Sequence, residues 1–229
     1  MENTGKAVIA EFIGTFALIF FGAGSVILYL NGQLDLVGVA LTHGLVIAIM
    51  VSQMGHLSGG VFNPGIQIAL WVTGKMSSAR TLAYMAGQLA GGAVGGFLLK
   101  FLVPHAAFVA AAGGAAALGN GISIGKGILL EAVGAFFLAW AVFATVIDRR
   151  GPFAKMAGFT IGLTITFGML AIAPWTGAAF NPARWFGPAL AAGHWGDWFV
   201  WIVGPIAGAI LAGVLYWGLF LRDEEPATP

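Results

Sequence analysis

The sequence contains no cysteine. That absence removes disulfides, cysteine-based zinc sites and thiol nucleophiles together, and it leaves the redox compartment open. Charge is nearly as scarce: only 8% of the 229 residues are Asp, Glu, Lys or Arg, and the formal net charge is +1. Such a chain offers no basic stripe to neutralise phosphates, so nucleic acid is not an expected partner. There is no HExxH pair, and Ser58, near His56 in "GHLSGG", has no third partner in the pattern. An enzyme is therefore not expected, and neither is a catalytic residue, a metal or a cofactor. His56 reads as a hydrogen bonder that anchors its loop.

The chain is instead 59% hydrophobic, with a mean hydropathy of +0.92. A surface so poor in charge cannot be solvated around a single core, which makes this an all-α integral membrane protein. Long apolar windows fall at about 7–29, 36–54, 79–102, 127–147, 155–173 and 197–221. Each is near the ~20 residues that a spanning helix needs. The first is too long for a signal-peptide core and lacks a cleavage context, so it reads as a retained span. Lys6, Lys75, Arg80, Arg149, Arg150, Lys155 and Arg222 gather on one face of this six-span topology, with Lys100 and Lys126 on the other. The positive-inside rule then places both termini in the cytoplasm, and their shortness points to a bacterial-type plasma membrane.

Two short segments are left over. "VFNPGIQIAL" from Val61 and "AFNPARWFGPAL" from Ala179 both carry Phe-Asn-Pro ahead of an apolar run of about ten residues. Ten residues of helix rise ~15 Å, half a bilayer's hydrocarbon thickness, so each reads as a re-entrant half-helix. They belong to a larger repeat. Glu11, Gly14 and Phe16 lie over Glu131, Gly134 and Phe136 at an offset of 120, and Asn63-Pro64 lies over Asn181-Pro182 at 118. Three spans and a half-span per copy force the second copy to enter upside down, giving an inverted repeat about a pseudo-twofold axis in the membrane plane. The chain is expected to be one transmembrane channel domain over 1–229. Repeat one covers about 7–102, an external linker about 103–125, repeat two about 126–221, and a short polar tail 222–229.

Pro64 and Pro182 suit the first helical position, with Asn63 and Asn181 as caps. Gly65 and Ala183 follow them. Two half-helices from opposite faces would meet N-terminus to N-terminus at the midplane, where their positive dipole ends repel cations and break a proton-conducting water chain. The Asn amides can donate to a passing water. Irregular backbone ahead of each half-helix is tolerable at that depth only if it lines a wet cavity, where its carbonyls form a ladder of acceptors. Glu11 and Glu131, symmetrically placed inside spans, suit a structural role as acceptors for those loops. The function expected is a passive, bidirectional channel for water and other small neutral solutes. The alternative is a secondary transporter coupled to a proton or ion gradient, for which Glu11 and Glu131 are the available midplane groups.

Paired Asn63-Pro64-Gly65 and Asn181-Pro182-Ala183 boxes in a six-span repeat resemble the aquaporin family, the major intrinsic proteins, along essentially the whole chain. The resemblance implies a right-handed bundle and a homotetramer with one pore per subunit. It implies Asn63 and Asn181 as central donors, and an outer constriction made by His43, Met169, Ala178 and Arg184. Gly65 stands where the family usually has Ala, and Val61 where many relatives carry His, which implies an altered width near the midplane. Glycerol channels of the family tend to have Asp directly after the arginine, whereas here that residue is Trp185. The constriction set resembles plant vacuolar-membrane aquaporins, which pass water together with ammonia, urea or hydrogen peroxide.

Overall fold

The computed structural model describes residues 4–151 and 154–222; the polar tail beyond Arg222 lies outside them. Among the described residues, six helices are long and apolar enough to cross a bilayer: α1 (Thr4–Leu30), α2 (Leu36–Ser58), α4 (Ser78–Leu102), α6 (Ile124–Ile147), α7 (Ala157–Thr176) and α9 (Val200–Leu221). Two short helices sit between spans, α3 (Pro64–Val72) and α8 (Pro182–Ala192). A further short helix, α5 (His105–Ala110), opens the connection between the halves. No strand occurs among the described residues.

Capping chemistry sets where several helices begin. Asp35 accepts from the Gly38 amide at 2.7 Å to start α2, and Ser77 and Ser123 accept from Arg80 and Lys126 amides to start α4 and α6. The half-helices end differently. Thr73 Oγ1 donates to the Ala69 carbonyl at the end of α3, whereas Lys100 Nζ donates to the Ala191 carbonyl, 2.8 Å away, at the end of α8. A cation on the last carbonyls satisfies orphan acceptors and complements the dipole.

Packing repeats between the halves. α1 lies against α4 as α6 lies against α9, and α4 against α8 as α9 against α3. Small residues permit the close approach that membrane helices rely on, since lipid supplies no hydrophobic drive between them. A side chain on Gly91 would run into the Phe12 carbonyl, and one on Gly208 into the Ala132 carbonyl. At the centre α2 crosses α7, where Gly44 and Gly162 each abut the other's carbonyl. That reciprocal contact lies on the pseudo-twofold axis and fixes the register of the halves.

Candidate functional site: a pore between two half-helices

Asn63 and Asn181 cap α3 and α8 from extended backbone, with Pro64 and Pro182 in the first turn. Asn63 Oδ1 accepts from the Gly65 amide at 2.9 Å; Asn181 Oδ1 accepts from the Ala183 amide at 2.9 Å and the Arg184 amide at 3.3 Å. With the oxygen used on its own helix, each amide nitrogen must look outward. Asn63 Nδ2 donates to the Phe180 carbonyl at 2.9 Å, and Asn181 Nδ2 donates to the Phe62 carbonyl at 2.8 Å. This exchange ties the two half-helix starts together. An amide nitrogen has two hydrogens, so each Asn keeps one for a solute.

Beneath the asparagines, the buried carboxylates hold the loops. Glu11 accepts from Ser58 Oγ (2.6 Å), the Val61 amide (3.0 Å), the Phe62 amide (2.7 Å) and Gln88 Nε2 (2.7 Å). Glu131 accepts from Thr176 Oγ1 (2.6 Å), the Ala179 amide (3.0 Å) and the Phe180 amide (2.6 Å). Fully buried carboxylates at membrane depth are tolerable only when their lone pairs are filled in this way. The loop anchors in repeats one and two are thus Ser58 and Thr176, while His56 is exposed and does not perform the anchoring its sequence position suggests.

The same bonds aim the backbone. All peptides among the described residues are trans, so an amide pointing at a glutamate sends the carbonyl of its own peptide unit the other way. The amides of Val61 and Phe62 face Glu11, which turns the Gly60 and Val61 carbonyls away from it; Ala178 and Ala179 are turned likewise by Glu131. These residues line an interior cavity of about 30 Å³, room for about two waters. The conformation carries strain. Phe62 (φ 49°), Phe180 (φ 51°) and Ala178 (φ 46°) occupy the left-handed region, an unfavourable one for side-chain-bearing residues. The Phe62 and Phe180 rings press onto Gly14 and Gly134, where any side chain would collide with them.

The cavity wall follows the repeat. Leu18 faces it with Leu138, Ile47 with Ile165, Val61 with Ala179, and Asn63 with Asn181. Pro64, Gly65, Pro182 and Ala183 are buried behind the asparagines in the first turns of the half-helices. Gly65 packs beside the Pro205 carbonyl, 3.3 Å from where a methyl would sit, so the smaller residue relieves contact with α9.

His43, Ala178 and Arg184 line this cavity as well, on its side away from the termini. His43 Nδ1 lies 2.9 Å from the Val39 carbonyl, which can only accept, so that nitrogen carries the hydrogen. Nε2 is left facing Arg184 Nη2 at 3.4 Å. Arg184 is buried, yet its Nε and Nη1 have no protein partner among the described residues. Arg184 also lines a second cavity of about 160 Å³, together with Met169 and with Ala115, Ala116 and Ala117 of the connecting segment. The guanidinium therefore stands where the outer vestibule meets the interior cavity. Met169 approaches it from the vestibule side and does not line the interior cavity. Trp185 turns away from both, stacked on Trp201 with ring centroids 6.0 Å apart. A third cavity of about 420 Å³ opens on the face that carries the termini, lined by Val51, Ser52, Thr145, Arg149 and Lys155 among others.

Known proteins share this organisation. The family profile described as Major intrinsic protein matches residues 2–216. The chain is 43% identical over 232 residues to aquaporin TIP4-4 of Zea mays, covering 96% of this chain and 90% of that protein. It is 37% identical over 224 residues to aquaporin-4 of Mus musculus, covering 96% and 69%. The fold superposes on the X-ray structure of the aquaglyceroporin from Plasmodium falciparum with a TM-score of 0.85 and 23% identity, covering 96% of this chain and 98% of that one. Six apolar spans, the inverted half-helices and these relatives together show that the chain is a multi-pass integral membrane protein of the major intrinsic protein family.

Proposed function

We infer that this protein conducts water in single file, together with ammonia or hydrogen peroxide, while excluding protons and ions. As a member of its family the chain is a passive channel for water and small neutral solutes, and the gradient-coupled transporter alternative has no support. The observation that carries the fuller reading is the meeting of α3 and α8, start to start, through the exchanged Asn63 and Asn181 bonds. Two positive dipole ends at one point repel cations, and a water there turns its oxygen toward the remaining Asn hydrogens. Its hydrogens then point outward on both sides, and the donor chain needed for proton hopping is broken.

Asn63, Pro64, Gly65, Asn181, Pro182 and Ala183 form the central filter in this reading, and Glu11 and Glu131 support its loops. The outer constriction is His43, Ala178 and Arg184, with Met169 at its vestibule edge. The free Nε and Nη1 of Arg184 donate to a passing solute and repel cations. Trp185, buried in an aromatic stack, lines neither the interior cavity nor the vestibule and brings no carboxylate to a polyol. Both termini are cytoplasmic in this reading. Lys100, one of the two basic residues that count against that orientation, is committed to the end of α8. The relatives reported are plant and animal proteins and lend no support to a bacterial membrane in particular. Each chain encloses its own cavity between its repeats, which suits a homotetramer with one pore per subunit.

Stopped-flow light scattering on proteoliposomes under water, ammonia, urea and glycerol gradients tests the reading. Fast osmotic shrinkage, with ammonia entry above that of empty vesicles and glycerol entry near it, is expected. Glycerol flux rivalling water would reject the proposed constriction.

A further inference from the structure

The repeat maps each member of the outer constriction onto a residue of the other half at an offset of 118: His43 onto Ile161, Ala178 onto Gly60, Arg184 onto Ile66, and Met169 onto Val51. The cavities obey the mapping. Ile161, Gly60 and Ile66 line the interior cavity as their counterparts do, while Val51 lines the terminal-side cavity as Met169 lines the outer vestibule. Gly60 is pressed against this ring, since a methyl on it would lie 3.2 Å from Val51 Cα. Geometry is thus preserved where chemistry is not. The outer ring offers guanidinium and imidazole groups, but its counterpart offers only side chains that cannot hydrogen-bond. The backbone supplies acceptors there, because the Gly60 and Val61 amides are spent on Ser58 and Glu11 and their peptide carbonyls turn away from those partners.

We propose that Val51, Gly60, Ile66 and Ile161 form a second, acceptor-only constriction on the terminal side of the asparagine pair, which favours solutes richer in hydrogen-bond donors than acceptors. This deepens the channel reading and rests on it. Ammonia, with three N–H groups and one lone pair, loses little there. Urea has a carbonyl that needs a donor, and none of these four side chains supplies one, so it must shed a hydrogen bond to pass the ring. Apolar constrictions are recognised barriers for this reason. Neutral small-solute selection is then shared between an outer ring that supplies donors and an inner ring that withholds them.

The test places a donor in the inner ring of the full-length protein in proteoliposomes. Ile161→Asn adds an amide, and Val51→Thr adds a hydroxyl with almost no change of shape. Ile161→Val changes volume without adding a donor. Each donor variant is expected to raise the urea-to-ammonia flux ratio about fivefold, the worth of one net hydrogen bond at the barrier. Ile161→Val is expected to stay within about twofold of the parent, since only one methylene is lost. An unchanged ratio in Val51→Thr and Ile161→Asn, with water flux intact, would overturn the proposal, as would an equal rise in Ile161→Val. A parent protein that carried no water would instead sink the channel reading itself, so the two failures are distinct.

Discussion

The two halves of the pore share a backbone and differ in what they hang on it. Glu11 and Glu131, Ser58 and Thr176, Phe62 and Phe180, Asn63 and Asn181 repeat one another in the loop bonds, with Gln88 an additional donor to Glu11 alone. The side chains of the proposed constriction do not repeat. Arg184 corresponds to Ile66 under the pseudo-twofold repeat, and His43 to Ile161. Even the space for the histidine is one-sided: Gly22 leaves room for it, a methyl there falling 2.7 Å from His43 Nε2, while the corresponding position in the other half is Val142, in the cavity wall. Scaffold and selectivity are therefore separable. Symmetry builds the path, and the proposed selectivity rests on departures from symmetry.

The largest effects are expected where the scaffold repeats. Glu11→Ala leaves Ser58, Gln88 and two backbone amides without their acceptor inside the membrane, and Glu131→Ala leaves Thr176 and two amides. Each is expected to cost at least about 3 kcal/mol, because every buried donor left unpaired costs about 1–3 kcal/mol, enough to remove most folded protein. Thermal unfolding in detergent, followed by tryptophan fluorescence, measures both. A large loss in one half with none in the other would break the equivalence of the loops.

Next come exchanges that transfer one half's residue to the other. Gly22→Val forces the His43 ring into the path and is expected to cut water flux about tenfold, the kinetic equivalent of a modest overpacking penalty. Val142→Gly, which gives the terminal half the residue of the outer half, is expected to leave water flux undiminished. Osmotic shrinkage rates compare them directly. Equal effects would show that neither half is the narrower.

Arg184→Val makes the outer ring as donor-poor as the inner one. Water should still pass, while the urea-to-water flux ratio rises because the widening and the loss of the fixed charge outweigh the lost donors. A ratio identical to the parent's would place Arg184 outside the path.

The repeat was legible in the sequence because its key residues are identical in both copies: Asn-Pro, the span glutamates, the glycines at 14 and 134. Anchors that differ in type were not. Ser58 and Thr176 do the same job, but nothing in "HLSGG" and "PWTGA" marks hydroxyls as carboxylate partners, and His56 drew attention by its chemistry while lying exposed. Arg184 was legible through resemblance, whereas its unpartnered Nε and Nη1 required coordinates. Ile66 is marked as the counterpart of Arg184 by the cavity wall they share and not by residue type. Composition likewise did not show that residues near Ala116 turn back to line the outer vestibule, held there by the Gly119 amide on the Trp175 carbonyl at 2.8 Å.

The smallest effect is expected at a feature without a counterpart. At the end of α6, Asp148 accepts from Arg150 Nε (2.9 Å) and Nη2 (2.8 Å) and from Tyr216 (3.1 Å), and Arg150 also donates to the Phe220 carbonyl. The Arg150 guanidinium holds the Asp148 carboxyl below the usual carboxylate range. A depressed folded value contributes stability that is complete above the unfolded value of ~3.9 and is lost only as pH falls below it toward the folded one. Melting temperature should therefore be insensitive to this pair between about pH 5 and 8. Arg150→Gln should cost about 1 kcal/mol, because the arginine is half exposed and partly screened.

Proteoliposomes loaded with a pH-sensitive dye and mixed first with an osmotic step, then with a proton gradient under a potassium–valinomycin clamp, examine the opposed half-helices most directly. Rapid shrinkage with proton entry no faster than in empty vesicles is the expected result. Proton entry that rises in parallel with water flux would contradict the claim that the exchanged Asn63 and Asn181 bonds, at two facing helix starts, break the proton path.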